Sequence, residues 1–123
     1  MQNSANVSPS LTRVVLYVKN IPKLVAFYQL HFDLHPLPGA TATWVELASP
    51  NGGSTIALHQ AAVSQKSGAA MKLVFAVKDV RAFKAAGERN GLKFSAVHTS
   101  DGFEFANAKD PAGNSISVSS RGL

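Results

Sequence analysis

Apolar and polar positions along the chain follow one plan twice. The segment TRVVLYVK (12–19) is rich in β-branched residues and predicts a strand. Asn20 then offers a helix N-cap, and Pro22 suits a first helical turn. Leu24, Phe27, Tyr28 and Leu30 recur on one side of a helix that runs to about Phe32. After DLHPLPG, the segment ATWVELA (42–48) predicts a strand, SPNGG (49–53) a turn, and STIALHQ (54–60) the returning strand.

A small-residue linker, AAVSQKSGAA (61–70), precedes the second round. MKLVFAVK (71–78) predicts a strand and Asp79 a second N-cap. Val80, Phe83 and Ala86 or Gly87 then mark a helix that ends at RNG (89–91). LKFSAVHT (92–99), GFEFANAK (102–109) and NSISVSS (114–120) follow as strands, with the turn DPAG (110–113) before the last.

Superposing the halves tests the repeat. A shift of 59 lays RVVLYVKNI (13–21) on KLVFAVKDV (72–80): a basic residue, five apolar residues, a lysine, an Asn or Asp cap, then an aliphatic residue. A shift of 61 puts Pro50 and Gly52 on Pro111 and Gly113, and a shift of 60 lays TIALH (55–59) on SISVS (115–119). The expected class is α+β, with two tandem βαβββ modules: residues 1–10 a flexible N-terminus, 11–60 the first module, 61–70 the linker and 71–121 the second, in one domain over 11–123.

One helix covers one face of a small sheet and leaves the other without a cover. Two such curved mixed sheets related by a pseudo-twofold axis can enclose a cleft lined by alternate strand residues. In the last strand Ile116 and Val118 then lie under the helix, and Ser115, Ser117 and Ser119 face the cleft.

Composition narrows the chemistry. A chain of 123 residues with 46% hydrophobic positions is long enough to bury one core, and no apolar run is long enough to span a bilayer. The beginning of the chain has neither a basic n-region nor an apolar h-region, so a cytoplasmic protein without a membrane partner is expected. With no cysteine, thiolate metal sites and cysteine nucleophiles are excluded. The net charge of +5 favours an anionic partner, but the basic residues are spread without a nucleic-acid-reading motif, so no nucleic acid is expected.

Three stretches resemble the vicinal oxygen chelate superfamily of glyoxalase I, extradiol dioxygenases and bleomycin-resistance proteins. They are LYVKNIPKLVAFY (16–28), FAVKDVRAFKAAGERNGLKF (75–94) and FANAKDPAGNSISV (105–118), the last with the family's Asp-Pro-x-Gly-Asn turn. The resemblance implies the two-module fold, a homodimer, and a metal ligand on the first and last strand of each module in metal-dependent members. Those positions carry Arg13, Ala57, Lys72 and Ser117, so neither a metal nor any other cofactor is expected. A rearranged metal site would have to draw on His59, His98 and a carboxylate such as Glu104.

The repeat superposes Arg13 and Lys72, so both are expected to enter the cleft and attract an anion; the plain alternative pairs them with Glu46, Glu104 or Asp101. Tyr17, Trp44, Phe103 and Phe105 are candidate apolar walls, with His59 and Ser117 as polar partners and no catalytic residue assigned. The reading that follows is a metal-free binder of an anionic or carbonyl-bearing organic ligand, resembling the bleomycin-resistance branch. Its alternative is a glyoxalase- or dioxygenase-type enzyme with a rearranged metal site.

Overall fold

The computed structural model describes residue 11 and residues 13–64 and 71–121. The expected frayed terminus (1–10) and residues 65–70 of the linker, with Ala69 and Ala70, lie outside the described residues. Each module runs strand, helix, three strands. The first comprises β1 (Arg13–Val18), α1 (Ile21–Phe32), β2 (His35–Pro36), β3 (Trp44–Ala48) and β4 (Thr55–Gln60). The second comprises β5 (Lys72–Ala76), α2 (Val80–Arg89), β6 (His98–Ser100), β7 (Phe103–Lys109) and β8 (Ser115–Ser119).

The sheets have the same order, β1-β4-β3-β2 and β5-β8-β7-β6, with the first strand of each parallel to the last and the other pairings antiparallel. Register bears out the repeat residue by residue. Arg13 stands opposite Thr55 as Lys72 stands opposite Ser115, and Trp44 stands opposite His59 as Phe105 stands opposite Ser119. These pairs reproduce shifts of 59, 60 and 61, so the one-residue slips are absorbed between the strands.

Capping fixes where both helices begin. Asn20 Oδ1 accepts from the Lys23 amide at 3.1 Å and Asp79 Oδ1 from the Ala82 amide at 2.9 Å, satisfying N–H groups that have no partner inside the helix. α1 stops at Asp33, whose left-handed φ of 56° turns the chain away while its amide donates to the Gln29 carbonyl. In α2, Gly87 is required by contact: a Cβ there would stand 2.8 Å from Cε2 of the Phe94 ring.

Each helix buries an apolar stripe on one sheet face. Leu24 and Tyr28 of α1 pack with Leu16, Val18, Leu47, Ile56 and Leu58; Val80 of α2 packs with Leu92, Phe94, Ala106, Ile116 and Val118. Phe27, Phe32, Leu73 and Phe75 touch both clusters and make one continuous interior of them. The rings of Phe32 and Phe75 stack at 4.1 Å, and Phe32 also stacks on Phe83 at 5.5 Å. The four bridging side chains are partly buried, and the apolar area they share ties α1 to the second module.

Two expectations are corrected. The segment 92–99 is not a strand over its length, because only His98–Ser100 pair regularly. The Ser95 carbonyl is taken by Lys84 Nζ at 3.0 Å, and the Asn107 amide donates to the Ser95 hydroxyl, so the ladder is interrupted there. The short β2 falls within the expected loop DLHPLPG, since two residues ending in proline give no alternating pattern to read.

Candidate functional site

The candidate site is built on the two sheet faces turned away from the helices. In a ladder, directly opposed residues share a face, which collects Arg13, Tyr17, Thr55, Ala57, His59, Trp44 and Glu46 on the first sheet. On the second sheet it collects Lys72, Val74, the serines of β8, Phe105, Asn107, Lys109 and His98. The expected orientation of the last strand holds, with Ile116 and Val118 packed in the core under α2.

The serines are engaged locally. Ser117 and Ser119 are buried; Ser117 Oγ donates to the Ala106 carbonyl at 3.2 Å, and Ser119 Oγ accepts the Arg121 amide at 3.1 Å. Ser115 Oγ accepts from Lys109 Nζ at 3.1 Å.

Arg13 and Lys72 occupy equivalent positions and find different partners. Arg13 Nε donates to Glu46 Oε2 at 3.1 Å, and Thr55 Oγ1 donates to the same oxygen at 2.6 Å. Thr55 first, and Arg13 with it, hold the Glu46 carboxyl below the usual carboxylate range. Lys72 Nζ donates at 3.2 Å to Asn107 Oδ1, a neutral acceptor at the position the repeat aligns with Glu46. The two positions are thus unequal: among the described residues a carboxylate answers the charge of Arg13, as the plain alternative had it, and an amide dipole that of Lys72.

Within one chain the two sheets are not closed on each other. On β5 the outward residues Lys72, Val74 and Ala76 are all exposed, Val74 to 61%, and Tyr17 on β1 is exposed to 45%. Strand pairing stays within each four-stranded sheet, and both sheets are open.

Aromatic side chains on these faces gather in two groups. The His59 ring lies 5.1 Å from Tyr17 and 5.7 Å, edge to face, from Trp44. Its Nδ1 is 3.0 Å from the Gln60 carbonyl, which can only accept, so Nδ1 carries the proton and Nε2 is left as an acceptor in the neutral ring. On the other sheet His98 stacks on Phe105 at 5.1 Å, Phe103 lies 6.1 Å from Phe105, and the Arg121 guanidinium sits 5.4 Å above Phe103. Sequence reasoning missed Asn107 and Arg121, although aligning Asn107 with Glu46 by the 61-residue shift would have found the first.

The donor set does not fit a metal. Arg13 and Lys72 offer no lone pair at neutral pH, Ala57 has no donor, and the Ser117 hydroxyl already binds a carbonyl. The rearranged set is not assembled either. His59 and His98 belong to different sheets, and Glu104 points to the helix side, where Arg81 of α2 donates to it at 2.9 Å. Among the described residues no three His, Asp or Glu side chains could hold a metal ion.

A groove of about 460 Å³ lies on the helix side, between α1 and the second module, lined by Phe27, His31, Leu92, Lys93 and Pro111 among others. Burial holds the His31 imidazole below its ordinary pKa, and none of the expected site residues reaches this groove. No described helix is long and apolar enough to cross a membrane.

Comparisons agree with this architecture. An antibiotic-binding protein, TnmS3 from Streptomyces sp. CB03234, superposes with a TM-score of 0.77 at 19% identity, over 92% of this chain and 95% of that one. A lactoylglutathione lyase from Agrobacterium tumefaciens gives a TM-score of 0.73 at 21% identity, over 91% and 93%. An integron cassette protein from the mobile metagenome of V. cholerae gives 0.70 at 25%, over 93% and 95%. No curated protein matches by sequence. The family model of the glyoxalase/bleomycin resistance protein/dioxygenase superfamily matches residues 10–118, nearly all of the two-module repeat, and the chain belongs to that superfamily.

Proposed function

We propose that this chain is a metal-independent binding protein for a small organic ligand that combines a flat apolar body with an oxyanion or carbonyl group. One observation carries the reading: the positions at which metal-dependent relatives would place their ligands hold Arg13, Ala57, Lys72 and Ser117, with Arg13 tied to Glu46 beside Thr55. Cations at these places favour a negative or strongly polar oxygen over a divalent metal. The rings of Tyr17, Trp44 and His59 on one sheet, and of Phe103, Phe105 and His98 on the other, supply the flat surface such a ligand needs.

A homodimer completes the site in this reading, because Val74 and Tyr17 leave apolar surface in solvent on the faces that bear the candidate residues. Similarity in fold to an antibiotic-binding protein is compatible with binding without turnover, while similarity to a lyase keeps catalysis as the competing class.

The test is metal analysis of the purified protein before and after incubation with Ni, Fe, Mn and Zn salts, followed by a thermal-shift screen of aromatic acids and carbonyl compounds. The expected outcome is no stoichiometric metal and a concentration-dependent rise in melting temperature with a subset of the compounds. Close to one metal ion per chain would overturn the reading and direct attention to glyoxalase and dioxygenase assays.

A further inference from the structure

The repeat is broken in its charge, and the break selects one sheet. Lys72, Ser115 and Lys109 form a single row across β5, β8 and β7, since Ser115 is register partner to both lysines. Lys109 Nζ donates to Ser115 Oγ at 3.1 Å and Lys72 Nζ to Asn107 Oδ1 at 3.2 Å, so both ammonium groups lie over the sheet. The residues sharing this face are Val74 and Ala76 on β5, Ser117 and Ser119 on β8, Phe103, Phe105 and Asn107 on β7, and His98 and Ser100 on β6; none is acidic. The one carboxylate of β7, Glu104, points to the opposite side and is held by Arg81.

The equivalent row of the first sheet behaves differently. Its single cation, Arg13, is answered by Glu46, and Glu46 is further held by Thr55. Two like charges on one row of the sheet, Lys109 on the Ser115 hydroxyl and Lys72 on the Asn107 amide, repel each other, and among the described residues neither forms an ion pair. A ligand oxyanion between them would relieve that repulsion while accepting two charge-assisted hydrogen bonds.

We infer that Lys72 and Lys109, with Ser115 between them, form the oxyanion subsite of this protein and take the phosphate or carboxylate head of a ligand whose ring rests toward Phe105. The inference deepens the binding reading above and rests on it, moving the anion from a site shared by Arg13 and Lys72 to the second sheet alone.

Phenyl phosphate and benzoate are the probes, titrated by calorimetry at pH 7.5 and low salt into the full chain and into Lys72→Met, Lys109→Met, Arg13→Met and, as a control on the exposed side of α1 in the first module, Lys23→Met. Circular dichroism confirms that each variant folds. Binding of either probe should weaken by about tenfold in each of the Lys72 and Lys109 variants, the loss expected for one charged hydrogen bond, and stay within about twofold in Lys23→Met. Tighter binding of phenyl phosphate than of benzoate would identify a phosphate head, and the reverse a carboxylate. Binding that depends on Arg13 and not on Lys109 would overturn the inference while leaving the broader reading standing. Failure of both probes at millimolar concentration would also overturn it, whereas the broader reading falls only with the metal analysis and the compound screen.

Discussion

Tyr28 and Asp110 stand 82 residues apart in the chain and 2.7 Å apart in the interior, where the tyrosine hydroxyl donates to Asp110 Oδ2. That bond ties α1 of the first module to the turn that opens the last strand of the second. The same carboxylate accepts the amides of Ala112 and Asn114 and the Asn114 side chain, all at 2.8–2.9 Å, so one aspartate organises the turn and anchors the neighbouring helix. Burial first, and the carboxylate beside it, push the Tyr28 hydroxyl far above its ordinary pKa, so it remains a donor at every working pH.

Removing either partner leaves a buried polar group without its bond. Tyr28→Phe should cost about 1–3 kcal/mol, because Asp110 loses one of several donors; Asp110→Ala should cost more, because it removes at once the carboxylate that accepts from the Tyr28 hydroxyl, the Asn114 side chain and two amides. Urea denaturation of the two variants checks the order, and equal losses would mean the hydroxyl bond alone carries the turn.

At Gly87 two effects oppose each other. Alanine is the better helix former by about 1 kcal/mol, yet its Cβ would meet the Phe94 ring at 2.8 Å. Overpacking of this kind costs about 1–3 kcal/mol, so Gly87→Ala should lower stability, and Phe94→Leu in the same chain should recover part of the loss. Thermal melts of the single and double variants decide it.

The Glu46 network makes a signed prediction about pH. Its carboxyl titrates lower in the folded chain than in the unfolded one, so its contribution to stability is fully present above the ordinary glutamate range and disappears as pH falls through the folded value. The Glu46→Gln variant should therefore lose less stability than the parent on acidification from about pH 6 to pH 3, measured as urea midpoints along the series.

Trp44 is the chain's one tryptophan and lies on the open face of the first sheet, edge-on to His59. A ligand that settles among Tyr17, His59 and Trp44 should quench or shift its emission in a saturable way. His59→Ala should weaken that response, and a ligand that raises the melting temperature without touching the emission would place binding elsewhere.

Val74 projects from β5 into solvent with 61% of its surface exposed, which gives the proposed homodimer a direct check. Analytical ultracentrifugation should show a dimer that Val74→Glu shifts toward monomer, since a charge on a buried apolar contact opposes association. Identical sedimentation of the two proteins would remove this face from the interface.

The repeat was readable because a βαβββ unit leaves local marks: a β-branched run, an Asn or Asp cap, a helical stripe and a glycine turn, all within one module. Counting those marks by shifts of 59, 60 and 61 placed Arg13 with Lys72 and Thr55 with Ser115 as the register does. The stretch 92–97 misled because Leu92 and Phe94 alternate as in a strand, while the competing bonds from Lys84 and Ser95 come from outside the stretch or from a side chain.

By itself, then, the sequence determined the α+β class, the duplicated module, the two helices with their caps, and the absence of ordinary metal donors at the family's ligand positions. Those features depend on residue type and on neighbours a few places away. Only the tertiary structure decided that Arg13 is neutralised by Glu46 while Lys72 and Lys109 flank Ser115, that Glu104 leaves the candidate face for Arg81, and that Val74 and Tyr17 on the candidate faces stay exposed in one chain. Each of these is a contact between residues distant in sequence, set by strand register and side-chain reach, and a one-residue change of register would move every such side chain to the other face.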